Sequence, residues 1–235
     1  MKVLLSLLLA SALLAESYPI ALVDRPLTMP RNSFESTLRF DQKSLMQLGM
    51  GYGFSDNMQL GISWDGMEAP SGATPVPKRR INLTGAYWAF NSPYISGRAN
   101  FILPFNFDRM VLQELFVGFA LFVPVKRGLM NVVLFDQLMT LNWYEAETQA
   151  TFHFPIRLSW QVNPAICLNF KTELAEFNTS GHHEHLIKKT PLYLEALYGI
   201  TSEIDVIGLA GFGNIQNATN LSLMLGVNFR GGLEG

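Results

Sequence analysis

The feature of this chain that most limits its fold is alternation, with apolar side chains at every second position in window after window. Phe34, Leu38 and Phe40 alternate with Glu35, Thr37 and Arg39. Met46, Leu48, Met50 and Tyr52 alternate with Gln47, Gly49, Gly51 and Gly53, and Met58, Leu60, Ile62 and Trp64 with Gln59, Gly61, Ser63 and Asp65. The pattern is cleanest where Phe152, Phe154, Ile156, Leu158 and Trp160 oppose Thr151, His153, Arg157, Ser159 and Gln161. It returns in Leu221, Leu223, Leu225, Val227 and Phe229 against Ser222, Met224, Gly226, Asn228 and Arg230. A period of two places the two sets on opposite faces of β-strands. No sustained helical stripe follows the first segment, so the remainder reads as all-β.

Residues 1–17 stand apart. Met1-Lys2 supplies a positive start, residues 3–14 are almost continuously apolar, and Ala10-Ser11-Ala12 and Ala15-Glu16-Ser17 supply small residues. This is the order of a secretory signal peptide, cut before Tyr18 or, as alternatives, after Ala12 or Ala15. No cysteine lies near the cut, which argues against a lipid anchor. The longest later apolar run, residues 115–125, falls short of the roughly 20 residues a spanning helix needs. Two architectures remain for an exported hydrophobic chain. One is a closed barrel in an outer membrane, which satisfies every backbone group within the sheet. The other is a soluble periplasmic β-protein with a lipid-binding apolar cavity.

Composition favours the barrel. Charged residues make up 15% of the chain and hydrophobic ones 49%, too little charge to cover a water-facing surface. The net charge of −2 argues against a nucleic-acid partner, and the single cysteine excludes an internal disulfide framework. The polar faces are rich in Gly, Ser, Asn, Thr and Gln, which suits a narrow interior. Tyr52, Trp64, Trp160, Tyr198 and Phe229 fall at strand ends, where aromatic girdles of membrane barrels sit.

The segment Tyr52-Gly53-Phe54-Ser55-Asp56-Asn57-Met58 recurs loosely as Tyr198-Gly199-Ile200-Thr201-Ser202-Glu203-Ile204, an aromatic strand end followed by a short polar turn. With the lead-in Arg25-Pro26-Leu27-Thr28-Met29-Pro30, this resembles small Gram-negative outer-membrane β-barrels of the porin and channel type. The resemblance implies fold and compartment and carries over no catalytic or ligand residue. One departure is that residues 204–209 are apolar on both faces. Strands are expected at 33–40, 45–54, 57–65, 80–90, 97–107, 111–123, 129–139, 149–161, 164–173, 190–199, 203–212 and 219–230. That makes a closed antiparallel transmembrane barrel of twelve strands, or of ten because residues 130–143 alternate poorly. Pro104 and Pro155 inside strands mark candidate bulges. The domain plan is a signal peptide (1–17), a periplasmic N-terminal segment (18–32), the barrel (33–230) and a C-terminal tail (231–235). The longest connections, 65–80 and 175–189, then face outside the cell.

The charged residues on polar faces are Arg39, Arg98, Glu114, Arg157, Lys171, Glu195 and Arg230, with His153 beside them. They are expected to line the lumen, and Arg98 and Glu114, on consecutive strands, to pair there. His182, His183 and His185 form a weak metal candidate, since imidazole suits zinc or copper but adjacent loop residues rarely converge on one ion. Cys167 reads as a small inward filler. The pattern of nucleophile, base and orienting group is missing: Pro155, not Ser, follows two residues after His153, and no nucleophile elbow is present. No cofactor and no enzyme activity are expected. The partners are outer-membrane lipid and small solutes. The expected function is a narrow passive channel, with a non-conducting structural or adhesive barrel and a soluble periplasmic lipid carrier as alternatives.

Overall fold

The computed structural model describes residues 21–25, 29–41, 46–65, 80–106, 111–112, 114–143, 148–179, 191–213 and 221–232. Among them are fourteen strand segments: β1 (Ser33–Asp41), β2 (Met46–Ser55), β3 (Met58–Asp65), β4 (Arg80–Asn91), β5 (Ser96–Asn106), β6 (Val111–Leu112), β7 (Glu114–Lys126), β8 (Met130–Leu134), β9 (Met139–Asn142), β10 (Gln149–Asn163), β11 (Ile166–Asn178), β12 (Leu192–Gly199), β13 (Ile204–Phe212) and β14 (Leu221–Gly232). Segments β6 and β7 both pair with β5, and β8 and β9 both pair with β7 and β10, so each couple counts as one stave. Twelve antiparallel staves result. Pairing of β1 with β14 and of β5 with β7 closes the sheet on itself. Closure removes edges, which hydrocarbon would leave unsatisfied.

Alternation decided the faces. Leu225 is 67% exposed on the outer wall while Arg230, on the same strand, is 2% exposed inside. Met50, Ile62, Leu158, Leu194 and Leu223 are likewise exposed, whereas Ser159, Gln161, Asn169 and Asn228 are buried. An apolar exterior around a polar interior is the inverse of a soluble sandwich and fits a bilayer. Two exposed aromatic bands border it. Tyr87, Phe90, Trp160 and Tyr198 lie towards the short turns, and Phe40, Trp64, Trp143, Phe152 and Phe177 towards the other rim. From Phe152 to Trp160 is about 27 Å along β10, near the height of a membrane barrel's apolar band. Of the expected girdle residues, Tyr52 and Phe229 are only half-exposed, and the Tyr52 hydroxyl donates to Asn32 Oδ1 at 3.2 Å.

Two strands depart from expectation. The stave expected at 129–139 breaks at residues 135–138, where Phe135 takes a left-handed φ of 59°. Strand β11 runs on to Asn178, past the expected end at 173, through a bulge: His153 pairs with Glu176 but Pro155 with Glu173. Pro155 thus sits at a bulge. Pro104 keeps regular register with Asn82 on β4, but on its other side the pairing shifts by one residue across it, from Ile102–Phe116 to Phe105–Leu112.

Candidate functional site

The lumen is built from the inward parity of each stave. Arg98 on β5 is buried, with Nη2 3.4 Å from Asp136 Oδ1. Its guanidinium lies 5.2 Å from the centroid of Phe122 and 5.9 Å from that of Trp88, a cation–π arrangement. Arg157 Nη1 reaches the other Asp136 oxygen at 3.9 Å. Asp136 gets there because the 135–138 break folds inward over Gly118, where any Cβ would overlap the Asp136 carbonyl oxygen. Asn100 Nδ2 donates to that carbonyl at 2.7 Å and holds the fold-in. Across the barrel, Lys171 Nζ meets Glu195 Oε2 at 2.9 Å, and Asn169 Nδ2 donates to Glu195 Oε1 at 2.8 Å. Arg39 stands opposite Gly226 and Gln47 on its two neighbours. His153 Nδ1 lies 2.8 Å from Glu173 Oε1, and its Nε2 lies 2.9 Å from Thr140 Oγ1.

Register overturns the expected Arg98–Glu114 pair. Arg98 faces Ala120, and Glu114 lies six residues further along β7, about 20 Å away. Glu114 instead stands opposite Asn142 at the long-loop rim. His182, His183 and His185 lie outside the described residues.

The mouth at the short turns holds a segment that the strand pattern did not place. Ala21–Arg25 turns inside it, with Leu22 3% and Val23 1% exposed, packed with Cys167, Leu197 and Ile207. Those three residues form one inward row across β11, β12 and β13. The inward apolar residues Leu197 and Ile207, odd in a polar lumen, were the signal that something covers them. Val23 N donates to Gln161 Oε1 at 2.8 Å, and Asn131 Nδ2 donates to Val23 O at 3.0 Å, so the buried backbone is satisfied. Arg25 Nη1 lies 2.6 Å from Asp205 Oδ1; Asp205 also pairs with Arg230, whose Nε is 2.7 Å from Glu35 Oε2. Asp24 faces the rest of the mouth, and burial raises its carboxyl above the ordinary range, partly offset by a hydrogen bond from Asn131.

Further on, Met29–Pro30 lies against β2. Gly53 permits this approach, since a Cβ there would overlap the Pro30 carbonyl oxygen, and Asn32 N donates to Gly53 O at 2.8 Å. Two cavities remain beside the segment. One of about 540 Å³ opens at the mouth between Asp24, Asn57, Trp88, Phe122, Arg127 and Asn131. One of about 220 Å³ lies deeper, bordered by Met29, Gly51, Gly61, Thr84, Arg98 and Asp136. Arg98, stacked against Trp88 and Phe122, separates them.

Solved structures carry the same barrel. The chain is similar to the KdgM porin at a TM-score of 0.57 and 10% identity, covering 84% of this chain and 98% of that one. The chain has the fold of these outer-membrane channels. It is similar in the same way to the NanC porin (TM-score 0.58, 9% identity, 83% of this chain and 98% of that one). A third likeness is to the COG4313 outer membrane channel from Pseudomonas putida F1 (TM-score 0.54, 11% identity, 86% of this chain and 96% of that one). No protein-family model and no curated protein matches the chain.

Proposed function

We propose that this chain is a narrow passive channel for small solutes in a bacterial outer membrane, throttled at its short-turn mouth by Ala21–Arg25. The observation that carries this reading is the pair of cavities of about 540 and 220 Å³, the first bordered by Trp88 and Phe122 and the second by the Arg98 side chain that lies over both rings. A scaffold needs no such space, because side chains fill the interior of a small barrel. The wall of the deeper cavity carries Gly51 and Gly61 at inward positions, and the space over Gly51 is taken by Met29 beside the inserted segment, not by a wall side chain, so removal of that segment widens it. Residues 1–17 act as the export signal in this reading, and the short turns face the periplasm with both ends of the barrel strands. A solute passes alongside the Arg98–Asp136 pair, so the channel takes small polar molecules that can exchange hydrogen bonds with both charges.

One of the similar structures is a KdgM porin in complex with disordered oligogalacturonate. For the present chain that likeness supports passage of a hydrophilic solute of small cross-section. The test is single-channel conductance of the refolded chain, lacking residues 1–17, in planar bilayers. Discrete conductance steps that grow when residues 21–30 are removed are expected. A correctly folded barrel that never conducts, with or without that segment, overturns the channel and leaves a structural or adhesive barrel.

A further inference from the structure

We propose that His153, Glu173 and Glu176 form a lumenal binding site for a divalent first-row transition ion. In a regular strand, residues three apart point to opposite faces, so Glu173 and Glu176 would not share a side. The bulge in β11 reverses the parity between them: His153 pairs with Glu176 while Pro155 pairs with Glu173. A bulge re-aims side chains, and here it turns two carboxylates onto one imidazole. The three donor atoms lie within 4.8 Å of one another.

The chemistry matches an ion of the zinc type. Zinc takes imidazole nitrogen and carboxylate oxygen at about 2.0–2.2 Å, which places donors roughly 3.4 Å apart in a tetrahedral shell. Rotation of the two glutamates closes the remaining gap, and lumenal water supplies the open position. The ring is already oriented: with Nδ1 towards Glu173, its Nε2 lies 2.9 Å from Thr140 Oγ1 on β9. An outer partner on the second ring nitrogen is what fixes a metal-binding histidine in its tautomer. Charge points the same way. The ion pairs among the described residues engage Glu173 with His153 but leave Glu176 unused, and the nearby cations Arg157 and Lys171 are directed to Asp136 and Glu195. Two carboxylates against one imidazole leave negative charge that a dication neutralises. A soft-to-borderline ion is favoured over Mg²⁺, which prefers an all-oxygen octahedral shell.

The experiment reads occupancy rather than flux, so it stands or falls apart from the channel reading. The chain lacking residues 1–17, refolded in detergent with His182, His183 and His185 replaced by Ala, is titrated with Zn²⁺ by calorimetry. One equivalent is expected to bind, unaffected by excess Mg²⁺. His153→Ala, Glu173→Gln and Glu176→Gln are each expected to weaken binding tenfold or more, with folding checked by heat-modifiable gel mobility. Should any variant fail to fold, the remaining two carry the comparison. Absence of binding in the loop-substituted chain, or equal affinity in the folded variants, overturns the site.

Discussion

Replacing Leu22 and Val23 together by Ala should unseat the N-terminal segment, and the chain's single cysteine reports it. Cys167 is fully buried beneath these two side chains, and no other thiol competes. Burial of Leu22 and Val23 contributes roughly 2 kcal/mol each. Two hydrogen bonds add about 1 kcal/mol each, and the charge-assisted Arg25–Asp205 contact about 2 more. Ordering Ala21–Arg25 opposes this with about 1.5 kcal/mol per residue. The difference is about 0.5 kcal/mol in favour of the seated form, a ratio of about 2 to 1. The double Ala variant removes about 3 kcal/mol and leaves the segment almost wholly free. Labelling of Cys167 by a water-soluble maleimide, limited by the unseated fraction, should therefore accelerate about threefold and then saturate. Equal rates in the two proteins would refute the reasoning, as would a parent that already labels at the variant's rate.

Gly53→Ala should also speed Cys167 labelling, because its Cβ displaces the Pro30 carbonyl although Gly53 touches neither Leu22 nor the thiol. Arg230→Met should lower stability by about 3 kcal/mol, read as a fall in the urea midpoint, since it takes an ion partner from both Glu35 and the fully buried Asp205, which keeps Arg25; adding Asp205→Asn should recover part of the loss. Seating should tighten in acid. The Asp24 carboxyl, facing Asp56 and Arg127 across the mouth cavity, binds its proton more tightly when seated, so its contribution is full below the free-segment pKa. That contribution is lost as pH rises through the raised, seated value, and Cys167 labelling corrected for thiolate fraction should increase across that window. Arg98→Ala should join the two cavities and raise conductance, while Lys171→Ala should change it little; equal effects would contradict a path past Arg98.

The strands were legible because lipid outside and a polar lumen inside impose one period on each of them. Partners were not legible, because pairing depends on the stagger between staves. Arg98 and Glu114 are close in sequence, but register separates them by about 20 Å and brings Asp136 to Arg98 instead. Asp136 itself was hidden by the poor alternation of residues 130–143, which marks an inward fold between β8 and β9 and not a missing stave. The end of β11 was misplaced for a related reason. Leu174 and Ala175 are consecutive apolar residues at the bulge, so alternation stops at 173 while pairing continues to Asn178. The seated segment has no period at all. Its trace was indirect, in the doubly apolar run at 204–209, where the inward Ile207 had no reason to be apolar until Leu22 and Val23 covered it.

These features divide the lumen into two unlike halves. On β11–β14 and β1, charges are paired within the wall: Lys171 with Glu195, Arg230 with Asp205 and Glu35, and Arg25 added to Asp205 by the inserted segment. These charges already have their partners and the apolar row at Cys167, Leu197 and Ile207 is covered, which closes that stretch of wall. On β2–β5 the inward positions include Gly51, Gly61 and Thr84, which border the deeper cavity with little bulk, Met29 covering Gly51. Arg98 is the bulky cation on that side, and its partner Asp136 comes from a chain break that only a glycine at 118 admits. In the channel proposed above the path follows the side with space, so discrimination is expected to fall to Arg98 and Asp136 more than to the paired charges opposite. The sequence feature that makes the path is thus the small inward residues of β2 and β3, and the feature that narrows it is one arginine held between two aromatic rings.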